Sequence, residues 1–251
     1  MKNEIEKTNS TPDLLTRREW LSLLGGATAI PLFGCGQGVD NRPYAKQTIG
    51  GCVVSPDQVE GPYFVKEQLN RSDIRQDPSD GSISPGVPLK LAILVYQVGN
   101  NACTPLQNAT VDIWHCDARG AYSDVKDNTS SAGDTRGRKF LRGYQVTDAN
   151  GRVEFQTIYP GWYQGRAVHI HYKIRTNPTS EVGHELTSQL YLDEAVTEEV
   201  HAQAPYSQKG KRDTLLADDF IYKRGGSELM IQLSKNAEGY SGVYNVGFLI
   251  T

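Results

Sequence analysis

Methionine is scarce in this chain, at two of 251 residues, and long apolar runs are missing. The uncharged stretch 21–33, rich in Gly, Ala and Leu, falls short of the ~20 apolar residues that a membrane-spanning helix needs. An excess of positive charge is missing too. The net charge of −3 implies no basic face of the kind that grips nucleic acid. There is no internal repeat and no low-complexity tract, which excludes a solenoid or a disordered array. What is plentiful is glycine, at 25, and tyrosine, at 13, a mixture that favours turns and strands over long helices. The chain is long enough for one substantial domain with a well-filled core.

The first 35 residues read as an address. Arg17 and Arg18 precede the short apolar run, the pattern of an export signal, and the paired arginines resemble the signal of the twin-arginine pathway. Gly25, Gly26 and Pro31 argue against a buried helix there. Leu32-Phe33-Gly34-Cys35 resembles a lipoprotein cleavage box, in which Cys35 would carry the lipid and give the only contact with a membrane. Residues 36–50 then read as a linker. The expected location is periplasmic, extracellular or anchored at the cell surface. Such compartments permit disulfides, and Cys52, Cys103 and Cys116 leave one thiol over. Cys103 and Cys116 flank one expected strand, which if straight holds them too far apart to bond. Pairing of Cys52 with either of them is at least as good a reading.

Short alternating or β-branched runs recur between turn residues. Strands are expected at 89–98, 109–115, 141–147, 152–158, 167–175, 187–192, 228–234 and 244–250. Asp148-Ala149-Asn150-Gly151 reads as a hairpin turn, and residues 193–204 as one minor helix. This pattern predicts an all-β fold, an antiparallel β-sandwich with long loops and a minor helix.

The strongest chemical signal lies in residues 159–171 (YPGWYQGRAVHIH). Residues i and i+2 of a strand share a face, so His169 and His171 present two imidazoles side by side, a common metal-binding arrangement. Tyr163 lies six residues before His169 on a Pro/Gly loop that can fold back over the strand end. Tyr122 follows the strand 109–115 in the same manner.

Glu60-Gly61-Pro62-Tyr63, residues 111–122 and residues 160–171 together resemble the intradiol ring-cleavage dioxygenase family, and the resemblance spans residues 51–251. It implies that this span is a catalytic domain holding Fe(3+) through Tyr122, Tyr163, His169 and His171, with Tyr163 and His171 axial. The implied substrates are a catechol-type ring and O2, and the implied product is a muconate-type dicarboxylic acid. Tyr163, displaced by substrate, would take a catechol proton, and Arg166 would stabilise negative charge on the ring. Gln189 matches a glutamine that lines the pocket, and Tyr63 and Trp162 are expected as pocket walls. Two phenolates are hard anionic donors that favour the ferric state, unlike the two-histidine, one-carboxylate set of ferrous oxygenases. His115 is expected to make a structural hydrogen bond, and His184 and His201 to face solvent. Self-association is left open.

Two rival readings use the same residues. A non-catalytic β-sandwich module could bind aromatic or carbohydrate ligands on Tyr and Trp with no metal. A zinc or copper hydrolase could be built on His169 and His171, although zinc prefers His, Cys and carboxylate ligands to tyrosine.

Overall fold

A computed structural model describes residues 44–66, 68–126, 133–177 and 183–250. The expected export signal and Cys35 fall outside the described residues. The stretch expected as a linker contains structure in its described part, because β1 (Thr48–Ile49) pairs with β2 (Cys52–Val53).

Two open sheets follow. One contains β3 (Pro88–Gly99), β4 (Ala102–Pro105), β7 (Arg152–Ile158), β10 (Leu233–Lys235) and β11 (Tyr240–Leu249). The other runs in the order β6 (Arg142–Val146), β5 (Thr110–Trp114), β8 (His169–Arg175), β9 (Glu185–Tyr191). Leu89, Leu91, Ile93 and Val95 of β3 and Val153 and Phe155 of β7 are buried in one cluster with Val111, Ile113, Ile170, Tyr172, Ile174, Leu186 and Leu190 of the second sheet. The sheets therefore share a single sandwich core, as the strand-rich pattern predicts. One helix, α1 (Glu194–His201), begins at Asp193, whose carboxylate accepts from the amides of Ala195 and Val196.

Three details differ from the sequence-based expectations. First, β11 pairs with β3 in parallel, while the other pairings between named strands are antiparallel. Second, the Asp148 turn is not a hairpin. The Asp148 carboxylate caps the amides of Asn150 and Arg152, but β6 joins β5 and β7 joins β3. Turn chemistry fixes where the chain reverses, whereas the partner of each strand depends on where its apolar side is buried. Third, most of 228–234 is not a strand. Gly225 adopts a left-handed conformation (φ 94°) and starts a 3-10 turn at Gly226–Leu229, so the segment makes an isolated bridge from Met230 to Tyr191 and its ladder with β11 begins only at Leu233. Of the cysteine pairings left open, Cys52 bonds Cys103, tying β2 to β4, and Cys116 is the thiol left over, free and buried.

The pleat of β8 positions the site. Its even residues Ile170, Tyr172 and Ile174 enter the sandwich core, so His169, His171 and Lys173 face the opposite way. That outward face is nonetheless buried, because loops lie over it.

Candidate metal and active site

Cross-strand register assembles the floor of the site. His171 lies opposite Trp114 of β5 on one side and Gln189 of β9 on the other, and His169 lies opposite Tyr191. Residues directly opposite on neighbouring strands share a face and touch. The His171 ring accordingly stacks on the Trp114 indole, with centroids 4.8 Å apart and planes within 6°.

Loops supply the roof. Tyr63, Trp114, Cys116, Tyr122 and Tyr163 form a second buried cluster, separate from the sandwich core. Tyr63 stacks on Tyr122 (4.3 Å), and Tyr163 meets both edge-on, at 5.7 Å and 5.5 Å. Arg142 of β6 donates to the carbonyls of Tyr63 and Ser123 and to the Ser123 hydroxyl, tying these two loops to the strand beneath. The loops carrying Tyr122 and Tyr163 are keyed together by two glycines. A Cβ on Gly120 (φ +83°) would lie 2.0 Å from the carbonyl oxygen of Trp162. A Cβ on Gly161 would lie 2.4 Å from the Asp117 oxygen and 2.6 Å from the Ala118 carbonyl. These obstacles are backbone and cannot swing away. Gly161→Ala is therefore expected to lower stability by about 1–3 kcal/mol and to separate the two tyrosine loops. Thermal unfolding checks this; a variant that matches wild type would show that the close approach does not matter.

The polar atoms converge. His169 Nε2 lies 3.0 Å from His171 Nε2 and 3.3 Å from the Tyr163 hydroxyl. His169 Nδ1 lies 2.6 Å from the Ala167 carbonyl, which can only accept, so that nitrogen carries the ring proton and Nε2 keeps its lone pair. Burial, with Arg166 nearby, holds the His169 pKa well below the usual histidine range. Burial, reinforced by His169 and Arg166, does the same for His171. Both imidazoles are thus neutral donors at neutral pH. Two nitrogen lone pairs this close repel unless a proton or a cation lies between them. Tyr122 sits against both Tyr163 and His171, and its burial, with Tyr163 next to it, raises its pKa well above 10.

This donor set fits a hard trivalent metal ion: two neutral nitrogens, two phenols and no carboxylate. Among the described residues there is no group of three or more His, Cys, Asp and Glu side chains able to hold a metal, so a zinc hydrolase finds no third ligand of its usual kind. Cys116 lies in the aromatic cluster but turns its thiol away from the imidazoles. Its thiol points at the Gly161 carbonyl (3.4 Å), and burial pushes its pKa up to about 12.

Arg166 is buried beside Tyr163, with Nη1 3.5 Å from the phenol oxygen. Its Nη2 donates to Gln189 Oε1 (2.6 Å), and its Nε to Asp219 (2.9 Å). Gln189 thus reaches the site through Arg166. Asp219 and Tyr191 were not visible to sequence reasoning, although Tyr191 shares a strand face with Gln189. Trp162 does not join the aromatic cluster. It packs against the main core and under Lys209, whose ammonium lies 4.5 Å from its ring. His115 makes the structural bonds expected, to the Cys116 carbonyl and the Thr157 hydroxyl. His184 is exposed, but His201 is not solvent-facing. The C-terminal end of α1 docks it on the Pro160 carbonyl (3.0 Å) and stacks it on Tyr206.

A family model described as a dioxygenase matches residues 59–239. The chain belongs to the intradiol ring-cleavage dioxygenases. This dioxygenase is similar to an intradiol ring-cleavage dioxygenase from Tetranychus urticae, with 31% identity and a TM-score of 0.67 over 78% of this chain and 94% of that one. It is also similar to the dioxygenase domain of a dioxygenase carbohydrate-binding protein fusion from Streptomyces sp. SirexAA-E, at 29% identity and a TM-score of 0.53 over 78% and 97% of the two chains. Catechol 1,2-dioxygenase 1 from Acinetobacter lwoffii is 24% identical over 250 residues, which span 87% of this chain and 68% of that protein. The dioxygenase is an enzyme, an oxidoreductase, and the binding-module reading is set aside.

Proposed function

We propose that the enzyme uses O2 and ferric iron held by Tyr122, Tyr163, His169 and His171 to open a catechol-type ring between its hydroxyl-bearing carbons. The product is a muconate-type dicarboxylic acid. The observation that carries this reading is the convergence of the His171 Nε2 and the Tyr163 hydroxyl on His169 Nε2, at 3.0 and 3.3 Å, beneath a buried arginine. Bound ferric iron would supply a Lewis-acid centre that chelates both catechol oxygens and readies the ring for dioxygen.

The protein's own residues do the rest. Tyr163, as a phenolate, is placed to accept a catechol proton, a task for which a positioned base contributes about 10²–10⁴-fold. Arg166 keeps a fixed positive charge 3.5 Å from that oxygen, where charge on the substrate would develop. Tyr63, stacked on Tyr122, gives the site an aromatic wall. The twin-arginine-type signal and Cys35 support export, with or without a lipid anchor.

The test is a visible spectrum of the purified enzyme with its iron content, before and after adding catechol without oxygen. A broad tyrosinate-to-iron band that moves on adding catechol is the expected result. A protein that stays colourless after reconstitution with iron would remove the metal site and the reaction with it.

A further inference from the structure

We infer that Asp219 is the positioning residue that aims Arg166 in the ring-cleavage reaction. This inference rests on the reading above. Asp219 is a buried carboxylate in a segment whose neighbours Asp218 and Phe220 are open to solvent. Its Oδ2 accepts from Arg166 Nε (2.9 Å) and from the Ala167 amide (2.9 Å). Its Oδ1 accepts from the amides of Ile221 (2.7 Å) and Tyr222 (3.1 Å). A carboxylate held by three backbone amides has little freedom, so it serves as a fixed anchor. From the same segment Asp213 accepts from the Gly165 amide (3.1 Å). The two aspartates thus hold the chain on both sides of Arg166.

The guanidinium is clamped on two edges. Asp219 fixes Nε, and Gln189 fixes Nη2, which also lies 3.4 Å from the Tyr191 hydroxyl. Gln189 is itself held through Nε2, which donates to the Val59 carbonyl (3.0 Å). The remaining edge, Nη1, points at the Tyr163 hydroxyl. An arginine side chain released from such a clamp regains its rotamer freedom, and a misplacement of ~1 Å can cost about a hundredfold in rate. Asp219 touches Arg166 and the chain, and acts through Arg166 alone.

The test is a double-mutant cycle on the iron-loaded enzyme with Arg166→Gln, Asp219→Asn and both together. It reads kcat, KM, anaerobic catechol affinity and the unfolding temperature. Asp219→Asn is expected to lower kcat about a hundredfold while the visible band and catechol affinity stay within about threefold of wild type. The double variant should be no slower than Arg166→Gln, within about threefold, because both changes remove one function. Losses that multiply would overturn the inference. Should Asp219→Asn not fold, Asp219→Glu keeps the charge and moves its head by one methylene. A fall of about tenfold in kcat supports the inference, and an unchanged kcat overturns it. Crystal structures of the variants give a readout independent of turnover: a guanidinium that stays at the Tyr163 hydroxyl without Asp219 overturns the positioning role. A wild-type protein that binds no catechol would sink the ring-cleavage reading instead, and those structures would still decide what Asp219 does.

Discussion

His171→Ala is expected to yield a folded, colourless protein that fails to retain iron and opens no catechol ring. The imidazole is fully buried against Trp114, so its removal leaves a cavity that costs about 2–3 kcal/mol. A domain of this size, with ~5–15 kcal/mol in hand, survives that loss. The site does not, because one of its two neutral nitrogen donors is gone, and among the described residues no metal-binding group of His, Cys, Asp and Glu side chains is there to replace it. Iron analysis after dialysis, the visible spectrum and thermal unfolding separate the two effects. A variant holding one iron per chain with the parent band would show that His171 is a packing residue. His169→Ala should fail in the same way, with an added loss: the bond from its ring to the Ala167 carbonyl fixes the strand entrance next to Arg166.

Tyr163→Phe removes a single oxygen. The ring keeps its edge-on neighbours Tyr63, Tyr122 and His169, so the unfolding temperature is expected to stay within a few degrees of wild type. Turnover should nevertheless fall at least a hundredfold, as expected when a positioned base is lost, and the visible band should move because one phenolate donor is missing. Burial, only partly offset by Arg166, pushes the Tyr163 pKa up to about 12. Without a metal the phenol is therefore protonated at neutral pH, and tyrosinate absorbance from the site appears only as the pH nears that value. The sign of the linkage follows. A folded pKa above the unfolded value of about 10 contributes stability below pH ~10, and that contribution is lost as pH rises through about 12. Metal uptake at neutral pH must accordingly release one proton for each phenol that becomes a ligand. Proton release measured during iron loading should drop by one in Tyr163→Phe. An unchanged count, or an unchanged turnover, would remove Tyr163 from the reaction.

Much of this site is legible in the chain because local periodicity carries it. His169 and His171 share a face at the strand period, and the glycines around Tyr122 and Tyr163 mark loops able to cross the strand ends. The aromatic wall was also within reach, since Tyr63 lies in one of the stretches that carry the family resemblance. Asp219 was hidden because its segment has no strand or helix period, and its partner lies 53 residues earlier. His201 was misread for a related reason. A helix rich in Glu reads as surface, yet the docking of its last turn against Pro160 is set by tertiary contacts. The Asp148 corner shows the same limit from the other side. Turn residues announce a reversal, and only the burial of apolar faces decides which sheet the next strand joins.

The two faces of β8 have a further consequence for anyone who would re-engineer the enzyme. Ile170, Tyr172 and Ile174 face the sandwich core, while His169 and His171 face the loops. Along seven residues the strand is therefore written in two interleaved scripts, one governed by volume and the other by bonding. A library varied only at the even positions would sample scaffolds of different stability around one unchanged reaction. A library varied only in the covering loops would sample pockets on one unchanged scaffold. A single inserted residue ahead of His169 would exchange the scripts, sending imidazoles into the oily interior and isoleucines to the loops.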